Sequence, residues 1–306
     1  MRLLLATAAH GDAWEAALRI ALPDARLAVW PQAPDEVDYA LVWRPPAAVF
    51  ERVRVARAVV NLGAGADALL ALPTLPPAVP VLRLTDAGMA AQMAEYVALA
   101  VLAAYREQHA YAAQQREARW TQRPRLDKAT FVVGLLGLGV LGRAVAQALR
   151  ALGFPVAAWT RTPRTEAGVT TYTGDAGLAQ MLAATRVLAC MLPSTADTRG
   201  LLDARTLRRL PTGAHVVNVA RGDLVVDADL LALLDAGHLA SATLDVFRDE
   251  PLPASHPFWH HPRIVLTPHV SAVTLVEASV AQVAQRIAAH ARGEPVAGIV
   301  DRTRGY

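Results

Sequence analysis

Short apolar runs alternate with amphipathic stretches along almost the whole chain. In the first third, RLLLAT (2–7), RLAVW (26–30), YALVW (39–43), AVVNLG (58–63) and PVLRLT (80–85) predict strands. Between them, DAWEAALRIAL (12–22) and AAVFERVRV (47–55) carry helical spacing. The stretch 88–120, GMAAQMAEYVALAVLAAYREQHAYAAQQREARW, keeps helix-compatible spacing for its whole length, beyond that of an ordinary globular helix. Such a rod predicts a crossing between domains or a subunit contact, and TQRPRLDK follows it as a polar connector. A second set of strands then reads as TFVVGLLG, PVAAWT, RVLACML, AHVVNVA, SATLDV and RIVLTPH, with helices between. Strands alternating with helices predict parallel sheets, so the expected class is α/β. The last amphipathic stretch, VEASVAQVAQRIAAHARG (276–293), has no strand left to complete. It is expected to return to the first domain and make that domain discontinuous.

Composition narrows the picture without deciding it. At 306 residues the chain is long enough for two cores. The 54% hydrophobic fraction and mean hydropathy of +0.27 owe much to alanine. The richest run, MAAQMAEYVALAVLAAY, is interrupted by Gln92 and Glu95, which argues against a membrane span. The amino-terminal MRLLLATAAHGDAW reads as a first strand rather than a signal peptide. A single cysteine, Cys190, excludes an internal disulfide and a cysteine-rich metal site, and its apolar surroundings predict a buried thiol. A net charge of +3 is too small to argue for nucleic acid, while a pI near 9.3 suits anionic metabolites. The expected location is cytoplasmic.

The first candidate site is a glycine pattern. Gly137, Gly139 and Gly142 stand in G-x-G-x-x-G spacing between a buried-strand run and an amphipathic helix. In that context the first glycine allows a tight turn, the second lets backbone approach a pyrophosphate, and the third packs helix on strand. The competing reading is a turn that only packs a helix. A carboxylate expected some twenty residues on, to hold ribose hydroxyls, is absent: Thr160, Arg161, Thr162 and Arg164 stand there instead. Guanidinium groups bind phosphate in bidentate fashion, so this loop predicts a 2′-phosphorylated dinucleotide. At ~1.5–3 kcal/mol per charged contact and ~1.4 kcal/mol per decade, two arginines shift preference by roughly two to four decades. NADPH is therefore the expected cofactor, with NADH the weaker alternative; a merely solvated basic loop is the rival explanation.

Three polar residues follow predicted strands of the second set: Arg221 after VVNVA, Glu250 after TLDVFRD and His269 at the end of IVLTPH. Reduction of a ketone by hydride needs a cation for the substrate's carboxylate and carbonyl, an acid for its oxygen, and a carboxylate to orient that acid. Arginine, histidine and glutamate fit those roles. His260 and His261, in an apparent loop, read as structural. In the first domain, NLGAGAD (61–67) could form a backbone nest for a carboxylate or a plain tight turn. Trp43, ending its strand, could wall the same place or sit in the core.

Together these blocks resemble the D-isomer-specific 2-hydroxyacid dehydrogenase family over nearly the whole chain, through GLLGLGVLGRAVAQALRALGF, MLPSTADTRGLL, VVNVARGDLVVDADLLALLDAGHLASATLDVFRDEPLP and HPRIVLTPHVSAVT. LVWRPP, NLGAGAD, DAGMAAQMAEYV, WTRT and GEPVAGIVDRTRGY are similar to its glyoxylate/hydroxypyruvate reductase A branch. The resemblance implies two Rossmann- or flavodoxin-like parallel-sheet domains flanking an active-site cleft. These are a substrate-binding domain of 1–94 plus 273–306 and a dinucleotide-binding domain of 95–272, usually as a homodimer. It implies that Arg221 binds substrate, His269 donates the proton and Glu250 pairs with it. It further implies backbone contacts from Ala64 and Gly65 to the substrate carboxylate. Leu141 and Gly142 would lie on the pyrophosphate, Leu192, Pro193 and Thr198 along the cofactor, and Asp245 on the nicotinamide amide. No metal is implied. Two rivals stand beside the reductase of small 2-oxo acids: a dehydrogenase of another 2-hydroxy acid, and a dinucleotide-sensing scaffold.

Overall fold

Apolar runs with no alternation become strands covered on both faces, the usual state of a parallel sheet. A computed structural model describes all 306 residues and divides them into two compact units, 1–89 with 274–306 and 90–273. The sequence-based boundaries lie within a few residues of these, at 94/95 and 272/273.

The first unit opens with β1 (Arg2–Thr7), α1 (Gly11–Ala21), β2 (Arg26–Val29) and β3 (Glu36–Trp43). It continues with α2 (Ala48–Arg52), β4 (Arg54–Asn61), α3 (Asp67–Leu70) and β5 (Val81–Arg83). All five strands are parallel, in the order β2-β1-β3-β4-β5. The helix expected over 47–55 is shorter, because Val53 is already extended and Arg54 begins β4.

The second unit contains α4 (Met89–Tyr105), α5 (Gln108–Arg116), β6 (Val132–Leu136), α6 (Val140–Ala151) and β7 (Val156–Trp159). After these come β8 (Val169–Tyr172), α7 (Gly174–Ala184), β9 (Thr185–Cys190), α8 (Ala204–Leu207) and β10 (Ala214–Asn218). The last are α9 (Asp227–Asp235), β11 (Leu239–Leu244) and β12 (Ile264–Leu266). Its seven strands are also parallel, ordered β12-β11-β10-β9-β6-β7-β8. The order reverses between β9 and β6, and ligands of such sheets bind beyond the strand ends at that point. Finally, α10 (Val276–Ala291) packs against α1 of the first unit.

Two expectations change here. The long rod is two helices, not one: Glu107 takes a left-handed conformation and separates α4 from α5. Apolar anchoring stops at Tyr105, whose ring packs edge-on against Phe131 and Phe154. Glu107 turns instead to Arg123 of the connector, 2.7 Å away. Strand β8 went unforeseen because VTTY is a half-exposed edge strand with two threonines and no apolar run.

Elsewhere pattern and packing agree. Helix α6 buries Gly142, Val145, Ala146 and Leu149, the i, i+3, i+4, i+7 stripe of one helix face. Cys190 is fully buried at the end of β9, where loss of water pushes its thiol up to about 12. No helix is long and apolar enough to cross a membrane.

Candidate active site

The glycine turn leaves β6 at its carboxyl end, beside the reversal point of the sheet. Gly137 has φ of 102°, a conformation glycine adopts without strain. A Cβ on Gly142 would stand 2.4 Å from the Gly137 carbonyl oxygen, so helix and turn touch only because that Cβ is missing. A Cβ on Gly139 would meet nothing within 4 Å. Gly139 caps α6 with no side-chain hydrogen bond, which leaves the first N–H groups of the helix without a side-chain partner. Leu141 is half-buried in that first turn. Open space over uncapped N–H groups is what a dinucleotide's pyrophosphate requires, so the turn fits that ligand.

The loop after β7 is built around Thr160, buried to 8% exposure, whose hydroxyl donates to the Thr162 carbonyl at 2.8 Å. Thr162 and Arg161 are exposed. Arg164 reaches back to the glycine turn and donates to the Leu138 carbonyl at 2.5 Å. Across the reversal point, the loop after β9 carries half-buried Leu192 and Pro193. Thr198 closes that loop by donating to the Pro193 carbonyl at 2.6 Å and accepting from the Thr195 N–H at 2.8 Å.

The neighbouring strands β10, β11 and β12 end on the same edge, and their loops carry the three polar residues. Asn218, fully buried at the end of β10, donates to the Arg221 carbonyl at 2.8 Å and accepts from the Ala220 N–H at 3.1 Å. That clamp fixes the turn displaying Arg221, and Arg221 Nη1 donates to the Ala220 carbonyl at 2.7 Å. After β12, His269 sits with φ of 57° and its N–H donates to the Asp245 carbonyl at 2.8 Å. The imidazole Nδ1 lies 2.8 Å from Oε2 and 3.1 Å from Oε1 of Glu250. A carboxylate only accepts, so Nδ1 carries the proton in this pair and Nε2 is the atom turned to other chemistry. Glu250 is itself aligned by the Phe247 N–H, 3.1 Å from Oε1. His260 is exposed in a short helical turn, and His261 pairs with Asp235 at 3.2 Å.

Asp245 directly follows β11. Its side chain is fully buried and accepts from Thr267 Oγ1 at 2.6 Å, from the Val270 N–H at 2.8 Å and from the Ser271 N–H at 2.8 Å. These three hydrogen bonds make the carboxylate a brace for the loop that carries His269. Because Thr267 donates to Asp245, the Tyr96 hydroxyl of α4 donates to Thr267, at 2.5 Å. The sequence marked neither Thr267 nor Tyr96, since both act through other protein groups.

In the first unit, Trp43 and the loop after β4 come together. The indole lies so close over Gly63 that a Cβ there would be 2.2 Å from its ring. Trp43 is therefore half-buried against the loop, neither core nor free.

Comparison with known proteins agrees with this geometry. Residues 98–271 match the family described as D-isomer specific 2-hydroxyacid dehydrogenase, NAD binding domain. A glyoxylate/hydroxypyruvate reductase A from Salmonella typhi is 44% identical over 96% of both chains. A D-isomer specific 2-hydroxyacid dehydrogenase from Xanthobacter autotrophicus Py2, solved with NADPH and MES, superposes with a TM-score of 0.94. It is 41% identical and covers 100% of this chain and 99% of its own. An NADPH-dependent glyoxylate/hydroxypyruvate reductase from Sinorhizobium meliloti, solved with NADP and sulfate, gives 0.93 at 36% identity, again covering 100% and 99%.

Proposed function

Since the chain belongs to the D-isomer-specific 2-hydroxyacid dehydrogenase family, we propose that it reduces small 2-oxo acids with NADPH, glyoxylate to glycolate and hydroxypyruvate to D-glycerate. The observation carrying the proposal is the His269–Glu250 pair at 2.8 Å, held on the same sheet edge as Arg221 and the glycine turn. When bound, the dinucleotide supplies the hydride. Gly137, Gly139, Leu141 and Gly142 would hold its pyrophosphate, and Leu192, Pro193 and Thr198 would lie along the cofactor. Thr160 and Thr162 shape the loop from which Arg161 and Arg164 would grip a 2′-phosphate, with NADH accepted less well.

Arg221 places positive charge on the carboxylate and carbonyl oxygen of the 2-oxo acid, so that negative charge arising on that oxygen is stabilised. His269 delivers the proton from Nε2 to the same oxygen, while Glu250 holds the ring through Nδ1 and balances the charge. Within the first unit, the N–H groups of Ala64 and Gly65 are suited to a carboxylate, with Trp43 beside them.

The outward Leu99 at 68% exposure and the fully exposed Trp120 support a homodimer, to be checked by light scattering. A cytoplasmic location is consistent with a single thiol. The deciding assay follows the loss of NADPH absorbance with glyoxylate, hydroxypyruvate, pyruvate and bulkier 2-oxo acids, repeated with NADH. Absence of turnover with every acid would sink the reductase reading; preference for a bulkier acid would make the chain a dehydrogenase of another 2-hydroxy acid.

A further inference from the structure

The loop between β4 and α3 is held by its carbonyls from one side. Asn61 Nδ2 donates to the Gly63 carbonyl at 2.9 Å and to the Gly65 carbonyl at 3.0 Å. Arg83 Nη1, from the end of β5, donates to the carbonyl between them, that of Ala64, at 3.0 Å. The Leu84 N–H adds a second donor to Gly63, at 3.2 Å. A peptide group is planar and trans, so its C=O and the N–H of the next residue point in opposite directions. Anchoring the carbonyls of Gly63, Ala64 and Gly65 therefore turns the N–H groups of Ala64, Gly65 and Ala66 away from the anchors. None of those three N–H groups has an acceptor within the protein. Successive N–H groups presented in this way form a concave anion receptor.

The charge beneath the loop has the matching sign. Arg83 forms no ion pair, and its Nε is buried without an acceptor. Arg286 of α10, 7% exposed, donates to the Arg83 carbonyl and to Thr85 Oγ1, at 2.7 Å in the latter case, and it too lacks a carboxylate. Burial lowers both guanidinium groups from their ordinary range, and for Arg286 the neighbouring Arg83 adds to the effect. Arg83, held against the loop with no counter-charge and with Arg286 behind it, leaves a site that an anion would balance.

We infer that Asn61 and Arg83 are positioning residues that pre-form a three-N–H receptor at Ala64, Gly65 and Ala66, and that the unpaired guanidinium of Arg83 makes this receptor selective for a carboxylate. That the carboxylate is the 2-oxo acid's rests on the proposed reductase activity; the receptor itself rests on the hydrogen bonds.

The test uses the full chain, with oxalate as an anion probe binding independently of turnover. Arg83→Gln is expected to raise both the KM for glyoxylate and the oxalate dissociation constant by about ten- to a hundredfold, the scale of losing the charged hydrogen bond that holds the Ala64 carbonyl. The KM for NADPH should stay within about twofold, because the dinucleotide is held elsewhere. Asn61→Asp, which replaces the amide donor with acceptors, should act in the same direction. Arg83→Lys, keeping the charge, should recover part of the loss, and it carries the test alone if Arg83→Gln does not fold. Unchanged oxalate binding in a folded Arg83→Gln protein would overturn the inference, and so would equal rises in both KM values. Weakened oxalate binding in a protein that reduces no 2-oxo acid would uphold the receptor and reject the reductase.

Discussion

Arg164 donates through Nη1 to the Leu138 carbonyl at 2.5 Å, which fastens the loop after β7 to the glycine turn that opens α6. On the proposed reading, this guanidinium and that of Arg161 meet the 2′-phosphate of a dinucleotide bound at that turn. Both arginines of the loop are exposed, so solvent screens part of what a phosphate contact contributes. Arg161→Ala with Arg164→Ala should therefore raise the KM for NADPH by about one to two decades and leave that for NADH nearly unchanged. Steady-state kinetics with each cofactor would decide it, and equal increases would reject a phosphate-binding role.

How much of this was legible beforehand depends on the kind of contact. Strands such as β6 and β10 announce themselves because both faces are covered and the run stays apolar. Arg221, Glu250 and His269 are visible because residues just past parallel strands are where ligands meet such sheets. Strand β8 and the break at Glu107 are not visible: one is a polar edge strand, and the other arises from a charge pair 16 residues apart in the chain. The braces were hidden for the same reason. Arg83 meets Ala64 across 19 residues, and Thr267 meets Asp245 across 22. No periodicity encodes an arginine whose partner is a backbone oxygen.

His269 Nδ1 is shared between the two oxygens of Glu250, and each variant of the pair has a distinct expected result. His269→Gln should lower kcat by about two to four decades, the usual contribution of a placed acid, while the dissociation constant of NADPH stays close to wild type. Glu250→Gln can hold the ring but not balance its charge, and should cost less, about one to two decades in kcat. Retention of most of the turnover in His269→Gln would require a different proton donor.

Stability should depend on pH through a histidine far from this chemistry. His215, 5% exposed on β10, bonds Ser241 at 2.8 Å and meets the ring of His109 edge-on at 5.1 Å. Burial pushes His215 from 6.5 down to about 3, with His109 and Arg186 adding to the fall, and burial lowers His109 as well. The unfolded chain binds a proton that the folded chain refuses. The stabilisation is thus complete above about pH 6.5 and is lost as pH falls toward about pH 3, at ~1.4 kcal/mol per unit. Between about pH 7 and pH 5, some 2 kcal/mol should disappear from the free energy of urea unfolding, and His215→Gln should flatten that dependence. An acid slope unaltered by the substitution would assign the loss to other groups.

Gly139 and Gly142 should separate binding from folding. At Gly139 φ is −75°, an ordinary value, and an added Cβ meets nothing within 4 Å. Gly139→Ala should therefore leave the free protein's stability within about 0.5 kcal/mol of wild type, as a surface change does. The methyl group would, however, stand in the space proposed for the pyrophosphate, and the NADPH dissociation constant should rise by at least about tenfold, or ~1.4 kcal/mol. At Gly142 the added Cβ would be 2.4 Å from the Gly137 carbonyl oxygen, a backbone atom that cannot swing aside. Gly142→Ala should lower stability by about 1–3 kcal/mol, as overpacking does, before any ligand is added. Calorimetric melts of the free proteins, paired with NADPH titrations, would show whether the two glycines part in this way. A Gly139→Ala protein that binds NADPH as tightly as wild type would remove the pyrophosphate from this turn.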